Sequence, residues 1–258
     1  MPSHYAHYRF GAKVIPLLPP QAQRSVRQFR RLYDVGLHGP DIFFYHNIVF
    51  RDQVVTLAKQ CHTRSGEAFF APVCKHLRLE PSEAAMAYLW GVLAHYCLDS
   101  AAHGFVLEQT SDGRIGHVEL ETEFDRFLLQ LDGKRQPNTF DCSGHIRLTG
   151  GECETVSQFY GTTPLAVNAS VKGMASCVKL LAMPNGNFRR TVEKMAGCRL
   201  RQHFMGRLPN KNCEHLNEPM LALFDRALEV FPAMAEALED HMACNAPLGE
   251  LFEPTFNG

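Results

Sequence analysis

The sequence has no CxxC pair among its nine cysteines, no apolar run long enough to span a bilayer, and no excess of charge of either sign. Each lack removes a class of protein. Without closely paired thiols a cysteine-held zinc site is not expected, and an odd number of cysteines suits reduced thiols better than a disulfide framework. A net charge of −1 with the histidines neutral supplies no attraction to nucleic acid or to an anionic membrane surface. The one basic stretch, Arg24, Arg27, Arg30 and Arg31, reads as a solvated helix face. The opening MPSHYAHYRFG lacks the apolar core of a secretory signal, so a cytoplasmic protein is expected. Alternating β-branched residues between tight turns, the mark of strands, are nearly missing, and no internal repeat is evident.

What is present is apolar spacing of helical period along most of 258 residues, 45% of them hydrophobic. The expectation is an all-α, multi-helix protein forming one domain over residues 1–258. The clearest helix starts at Ser82, an N-cap with Glu83 in the first turn, and runs through EAAMAYLWGVLAHYCLDSAA to a stop near Gly104. Its middle is apolar on nearly every side and should lie in the core. A second helix, HVELETEFDRFLLQL, follows the turn SDGRIG and stops at Asp132 and Gly133, with Leu120, Phe124, Phe127, Leu128 and Leu131 on one face. Shorter helices are predicted over Gln21–Tyr33, Gln53–Lys59, Val156–Tyr160, Leu165–Leu181 and Glu218–Asp240. Residues 133–151 read as a long polar loop, without the change of composition that would divide the chain.

Thirteen histidines are an excess, and imidazole is the commonest protein ligand for zinc. In the core helix, His95, Asp99 and His103 recur every four residues and project as one polar row. Leaving two imidazoles and a carboxylate unpaired in a core is strongly unfavourable, and a divalent cation is one partner for all three. Hydrogen bonds to backbone or water are the alternative for each residue taken singly. The next helix adds His117 and Glu121, again four apart, the geometry of a two-ligand clamp. The row from His95 to His103 spans about 12 Å at the helical rise. That length favours two metals over one, with His95 and Asp99 on the first and His103, His117 and Glu121 on the second.

These residues resemble the zinc-dependent phospholipase C family, relatives of the bacterial phospholipases C and of the P1-type nucleases. There, a row that opens His-Tyr and runs through Asp to a second His precedes an HxxxE pair in an all-helical domain. The segments HYRFG, GLHGPDIFFYH, the CH before TRSGEAFF and CEHLNEP are similar to the intracellular bacterial branch. The resemblance implies two or three zinc ions. His62, His95 and Asp99 would hold the first, His103, His117 and Glu121 the second, and His7 the third with Asp99 bridging. Asp41, in the GPD turn, would serve as general base or as a further ligand, with a turn-forming Asp after Pro40 as the alternative. Tyr96 and Glu119 would hold ligand orientation, with a solvent-facing place on the helix as the alternative for Glu119. The chain departs from the secreted members in two ways. His103 lies four residues beyond Asp99 rather than six, and no tryptophan matches their N-terminal one. His4, His46 and His215 are read as structural, and His38, His76, His145, His203 and His241 are given no role.

Clustered zinc suits hydrolysis of a phosphate ester by a metal-activated water, on a small phosphoester or a phospholipid. The alternatives are a nuclease or nucleotidase of the P1 type and a non-catalytic helical protein stabilised by metal. The sequence says nothing of oligomeric state.

Overall fold

The computed structural model describes residues 4–47, 52–184, 186, 189, 191, 194 and 201–258. Among these the helices are α1 (His4–Val14), α2 (Pro20–Gln28), α3 (Arg30–Gly36), α4 (Gln53–His62), α5 (Gly66–Leu79), α6 (Glu83–Thr110), α7 (His117–Leu131), α8 (Gly150–Tyr160), α9 (Pro164–Leu181) and α10 (Asn217–Cys244). No strand occurs among the described residues, where β pairing is limited to one bridge between Ser65 and Thr255. The protein is all-α, as the apolar spacing predicts. None of the described helices is long and apolar enough to cross a membrane.

Local chemistry starts the helices where the chain carries short polar side chains. Asp52 accepts from the Val54 and Val55 N–H groups, Ser65 from Ala68 and Ser82 from Ala85, each answering donors that a first turn leaves without a partner. Thr149 and Glu152 close a reciprocal capping box on α8, and Thr163 caps α9 ahead of Pro164.

α6 is the axis. It is buried on all sides over most of its length, because α1, α2, α3 and α10 all pack against it. The closest approach is at two glycines. A Cβ on Gly91 would meet the Tyr33 carbonyl oxygen at 2.3 Å, and one on Gly36 would meet that of Tyr88 at 2.5 Å. Backbone therefore lies against backbone where α3 meets α6, which delivers the following residues, Leu37 to Asp41, to the level of His95, one turn beyond Gly91.

Several helix limits differ from those read in the sequence. α6 continues through Gly104 to Thr110, since one glycine inside a well-packed helix is tolerated. The helix predicted over 21–33 is two helices, broken at Phe29 (φ −113°, ψ 46°) without Pro or Gly. Its cause is tertiary: α3 has to turn so that Gly36 reaches Gly91. α1 and α5 were hidden, α1 by histidines on its buried face and α5 by Pro72 inside it. The loop over 133–151 contains 3-10 turns at Pro137–Thr139 and Ser143–His145, and its last two residues already belong to α8.

The C-terminal residues fold back across α5 and α6. Tyr96 donates its hydroxyl to the Leu251 and Pro254 carbonyls (3.2 and 2.9 Å), and the Gly66 N–H donates to Pro254. Phe256 is thereby sealed against Tyr96, His62 and His95.

Candidate metal centre

His95 and His62 are oriented by their own backbone surroundings. His95 Nδ1 lies 3.2 Å from the Leu37 carbonyl and His62 Nδ1 2.7 Å from that of Ala58. A carbonyl only accepts, so both Nδ1 atoms carry a proton, and in the neutral rings the lone pair is on Nε2. Those Nε2 atoms are buried and have no hydrogen-bond partner, and the same is true of Asp41 Oδ1 and Asp99 Oδ2. His62 Nε2 and Asp41 Oδ1 are 2.8 Å apart, an ion-pair distance when the ring is protonated, and both lie within reach of one cation when it is neutral. Gly39 (φ +46°) closes the turn above them. A Cβ there would sit 2.5 Å from His95 Cδ2, so the turn passes against the edge of the ring.

Asp99 is the hub of the row on α6. Its carboxylate lies 3.2 Å from His7 Nε2, 3.3 Å from His95 Nε2 and 3.9 Å from His103 Nδ1. Burial alone would raise its pKa. The imidazoles of His95 and His7 outweigh burial and hold the carboxyl well below the usual range. His95 is pushed down to about 4, burial outweighing the attraction of Asp99. Carboxylates are thus ionised and His95 is neutral at pH 7, the protonation states that metal ligation requires.

Three sets of ligand atoms converge within 4.8 Å: His7, His95 and Asp99; Asp41, His62 and His95; and His103, His117 and Glu121. All eight residues singled out in the sequence are therefore brought together. Their grouping differs from that implied by the family in one respect, since His62 falls with Asp41 and not with Asp99, while Asp99 falls with His7 as a bridging carboxylate would. In the third set His117 Nε2 lies 3.2 Å from Glu121 Oε1, and the His103 and His117 rings are 5.0 Å apart. His117 is the more open member, with 28% of its side chain exposed, so the centre reaches solvent at this end. A cavity of about 30 Å³, room for a water-sized guest, lies between His7, Asp99, His103 and Glu121 on one side and Leu98, Val106, Phe124 and Met220 on the other.

Other residues take different places. Tyr96 faces the C-terminal segment and packs on Phe256, which in turn lies against His62 and His95. Glu119 accepts from the Gly116 N–H at the start of α7 and from the Asn210 and Asn212 amides, fixing the turn before His117. His4 pairs with the Tyr45 hydroxyl (3.0 Å), His46 with Asp52 (2.7 Å), and His215 is exposed. His38 and His145, given no role in the sequence, face each other through their Nε2 atoms at 2.8 Å beside the Leu37–Asp41 turn.

Convergent imidazole nitrogens and carboxylate oxygens, with His62 and His95 Nε2, Asp41 Oδ1 and Asp99 Oδ2 buried and without a hydrogen-bond partner, are a donor set that fits zinc. Fold and site together define an all-helical protein with a candidate multinuclear metal centre. The chain belongs to the zinc-dependent phospholipase C family, whose model matches residues 3–152, more than half of the 258. All eight candidate ligands lie inside that stretch. No curated protein and no solved structure matches the chain.

Proposed function

We propose that the protein is a zinc-dependent phosphoester hydrolase of phospholipase C type, formed by the whole chain as one domain. The observation that carries this reading is the set of buried, convergent ligand atoms that have no hydrogen-bond partner: His62 and His95 Nε2, Asp41 Oδ1 and Asp99 Oδ2. Two or three zinc ions would be held by Asp41, His62 and His95, by His7, His95 and Asp99, and by His103, His117 and Glu121. Zinc bound here supplies a water acidified toward neutrality and a positive charge on the phosphoryl oxygen. The chain's residues contribute orientation. Leu37 and Ala58 set the tautomers of His95 and His62, Glu119 fixes the turn that starts α7, and Phe256 shields the back of His62 and His95 from water. Asp41 acts in this scheme as a ligand, since its oxygen is turned to the same point as His62 Nε2.

Support for a catalytic rather than a structural centre comes from its donors. Structural zinc is commonly closed by cysteines, and no cysteine occurs in the three sets. The substrate is a small phosphoester or a phospholipid. The described cysteines are all free thiols, which suits the reducing cytoplasm.

Metal analysis of the purified protein together with a substrate panel tests the reading. We expect at least two zinc ions per chain, reduced by His95→Ala and by His117→Ala, and chelator-sensitive turnover of p-nitrophenyl phosphodiesters or phosphocholine lipids. Less than one zinc, unchanged in both variants, would sink it. Turnover of single-stranded oligonucleotides alone would move the protein to the P1-type nucleases.

A further inference from the structure

Along α7 the spacing of four that links His117 to Glu121 continues once more, to Asp125. This carboxylate leaves its own helix and reaches the start of α1, accepting hydrogen bonds from the backbone N–H of Tyr5 (3.0 Å, Oδ2) and of Ala6 (2.8 Å, Oδ1). Asp125 is buried at 5% exposure, and its partners are 120 and 119 residues away in sequence. First-turn N–H groups have no acceptor within their own helix and lie at its positive end, so a carboxylate is the matched partner. Asp125 does for α1, from another helix, what a capping side chain does locally.

His7 stands one residue after that grip. Its Nε2 reaches Asp99, and its set is completed by His95. The far side of α1 is tied to α7 separately: Asp132 accepts from Arg9 Nε (2.7 Å) and Nη2 (2.9 Å) and from the Tyr5 hydroxyl (2.7 Å). Asp132 binds side chains near solvent, whereas Asp125 binds the backbone that leads directly into His7.

We propose that Asp125 is a positioning residue of the metal centre, which sets the placement of His7 by gripping the first turn of α1 and so completes the His7–His95–Asp99 set. α7 then supplies two ligands to one metal set and fixes a ligand of another. The inference rests on the reading of these sets as metal-binding.

Cobalt(II) as the probe, in the full chain, tests it through metal count and visible spectrum. Asp125→Asn keeps the side chain's shape but replaces one acceptor oxygen by an NH2 group, and Asp125→Ala removes both. Both variants are expected to lose the same cobalt and the same absorption component as His7→Ala. The double variant His7→Ala/Asp125→Asn should lose no more than His7→Ala, and Asp132→Asn should retain the full spectrum. In metal-free protein, amide exchange at Tyr5 and Ala6 should accelerate at least tenfold in Asp125→Ala. A full cobalt count in Asp125→Asn overturns the proposal. So does loss in Asp132→Asn equal to that in Asp125→Asn, which would mark a general anchoring of α1. Where Asp125→Ala fails to fold, Asp125→Asn carries the test. Wild-type protein that takes up no cobalt overturns the metal reading itself, and unchanged exchange at Tyr5 and Ala6 separately overturns the grip.

Discussion

At the scale of single residues, His95 is the member that two of the three sets share, and its position is fixed from three directions. Leu37 accepts from its Nδ1, Phe256 covers one face, and Gly39 runs along its edge. Gly39 is therefore the position where a minimal change should be felt most. Gly39→Ala would place a methyl 2.5 Å from the ring in a backbone conformation that L side chains rarely adopt. We expect zinc affinity to fall about 10- to 100-fold, the range seen when groups that orient ligands are disturbed. Competition with a chromophoric chelator measures it, and an affinity within twofold of wild type would show that the ring does not depend on the turn.

At the scale of elements, α7 is held on its outer side by a buried polar network. Glu123 accepts from Arg126 Nε and Nη2 (2.6–2.9 Å), from the Asn210 backbone N–H (3.0 Å) and from Asn217 Nδ2 (3.1 Å). This joins the helix that carries His117 and Glu121 to the segment that leads into α10. Glu123 and Arg126 are almost fully buried, at 3% and 2% exposure, so removing one leaves the other charge uncompensated. Glu123→Ala should lower unfolding free energy by about 3–5 kcal/mol. Urea denaturation of the zinc-free protein is the measurement, and a loss below about 1 kcal/mol, the scale of a surface ion pair, would contradict it.

At the scale of the whole molecule, the buried histidines set the acid limit of stability. Burial, opposed in part by Asp41, lowers His4 to about 3. Burial likewise lowers His95 and His145 to about 4, and burial with the His145 imidazole takes His38 well below its ordinary value. An unfolded histidine titrates near 6.5, so between about pH 6.5 and 4 the unfolded chain takes up protons that the folded chain refuses. Stability must fall as pH falls through that window, His95 alone contributing on the order of 3 kcal/mol over its full width. His7 and His62 act with the opposite sign and elsewhere. Burial lowers them, but Asp99 and Asp41 more than offset it, so their contribution is complete below 6.5 and is lost only as pH rises. Urea midpoints of chelated protein should therefore decline from pH 6.5 to 4.5, and a flat profile would show that the folded state protonates these rings freely. Metal acts on the same balance. Zinc at a thousand times its dissociation constant adds about 4 kcal/mol, so chelation should lower the thermal midpoint by roughly 10 °C. An unshifted midpoint would mean that folding does not depend on the ion.

The sequence by itself determined the helical class and the rows of candidate ligands on α6 and α7. Helical period is a local property, and ligands at spacings of four on α6 and α7 share a face wherever those helices go. The resemblance added His7, His62 and Asp41 from three further segments. Only the tertiary structure decided how these residues combine. Asp41 joins His62 because the Gly36–Gly91 contact drives α3 against α6 and delivers the following turn to His95. His7 reaches Asp99 where α1 docks on α7, with Asp125 in the grip. Tyr96 is turned away because the chain's last ten residues return to accept its hydroxyl's hydrogen bond. Contacts between residues about 55 to 160 positions apart leave no periodic trace in a sequence, since they depend on where whole helices pack and not on what any turn of helix prefers.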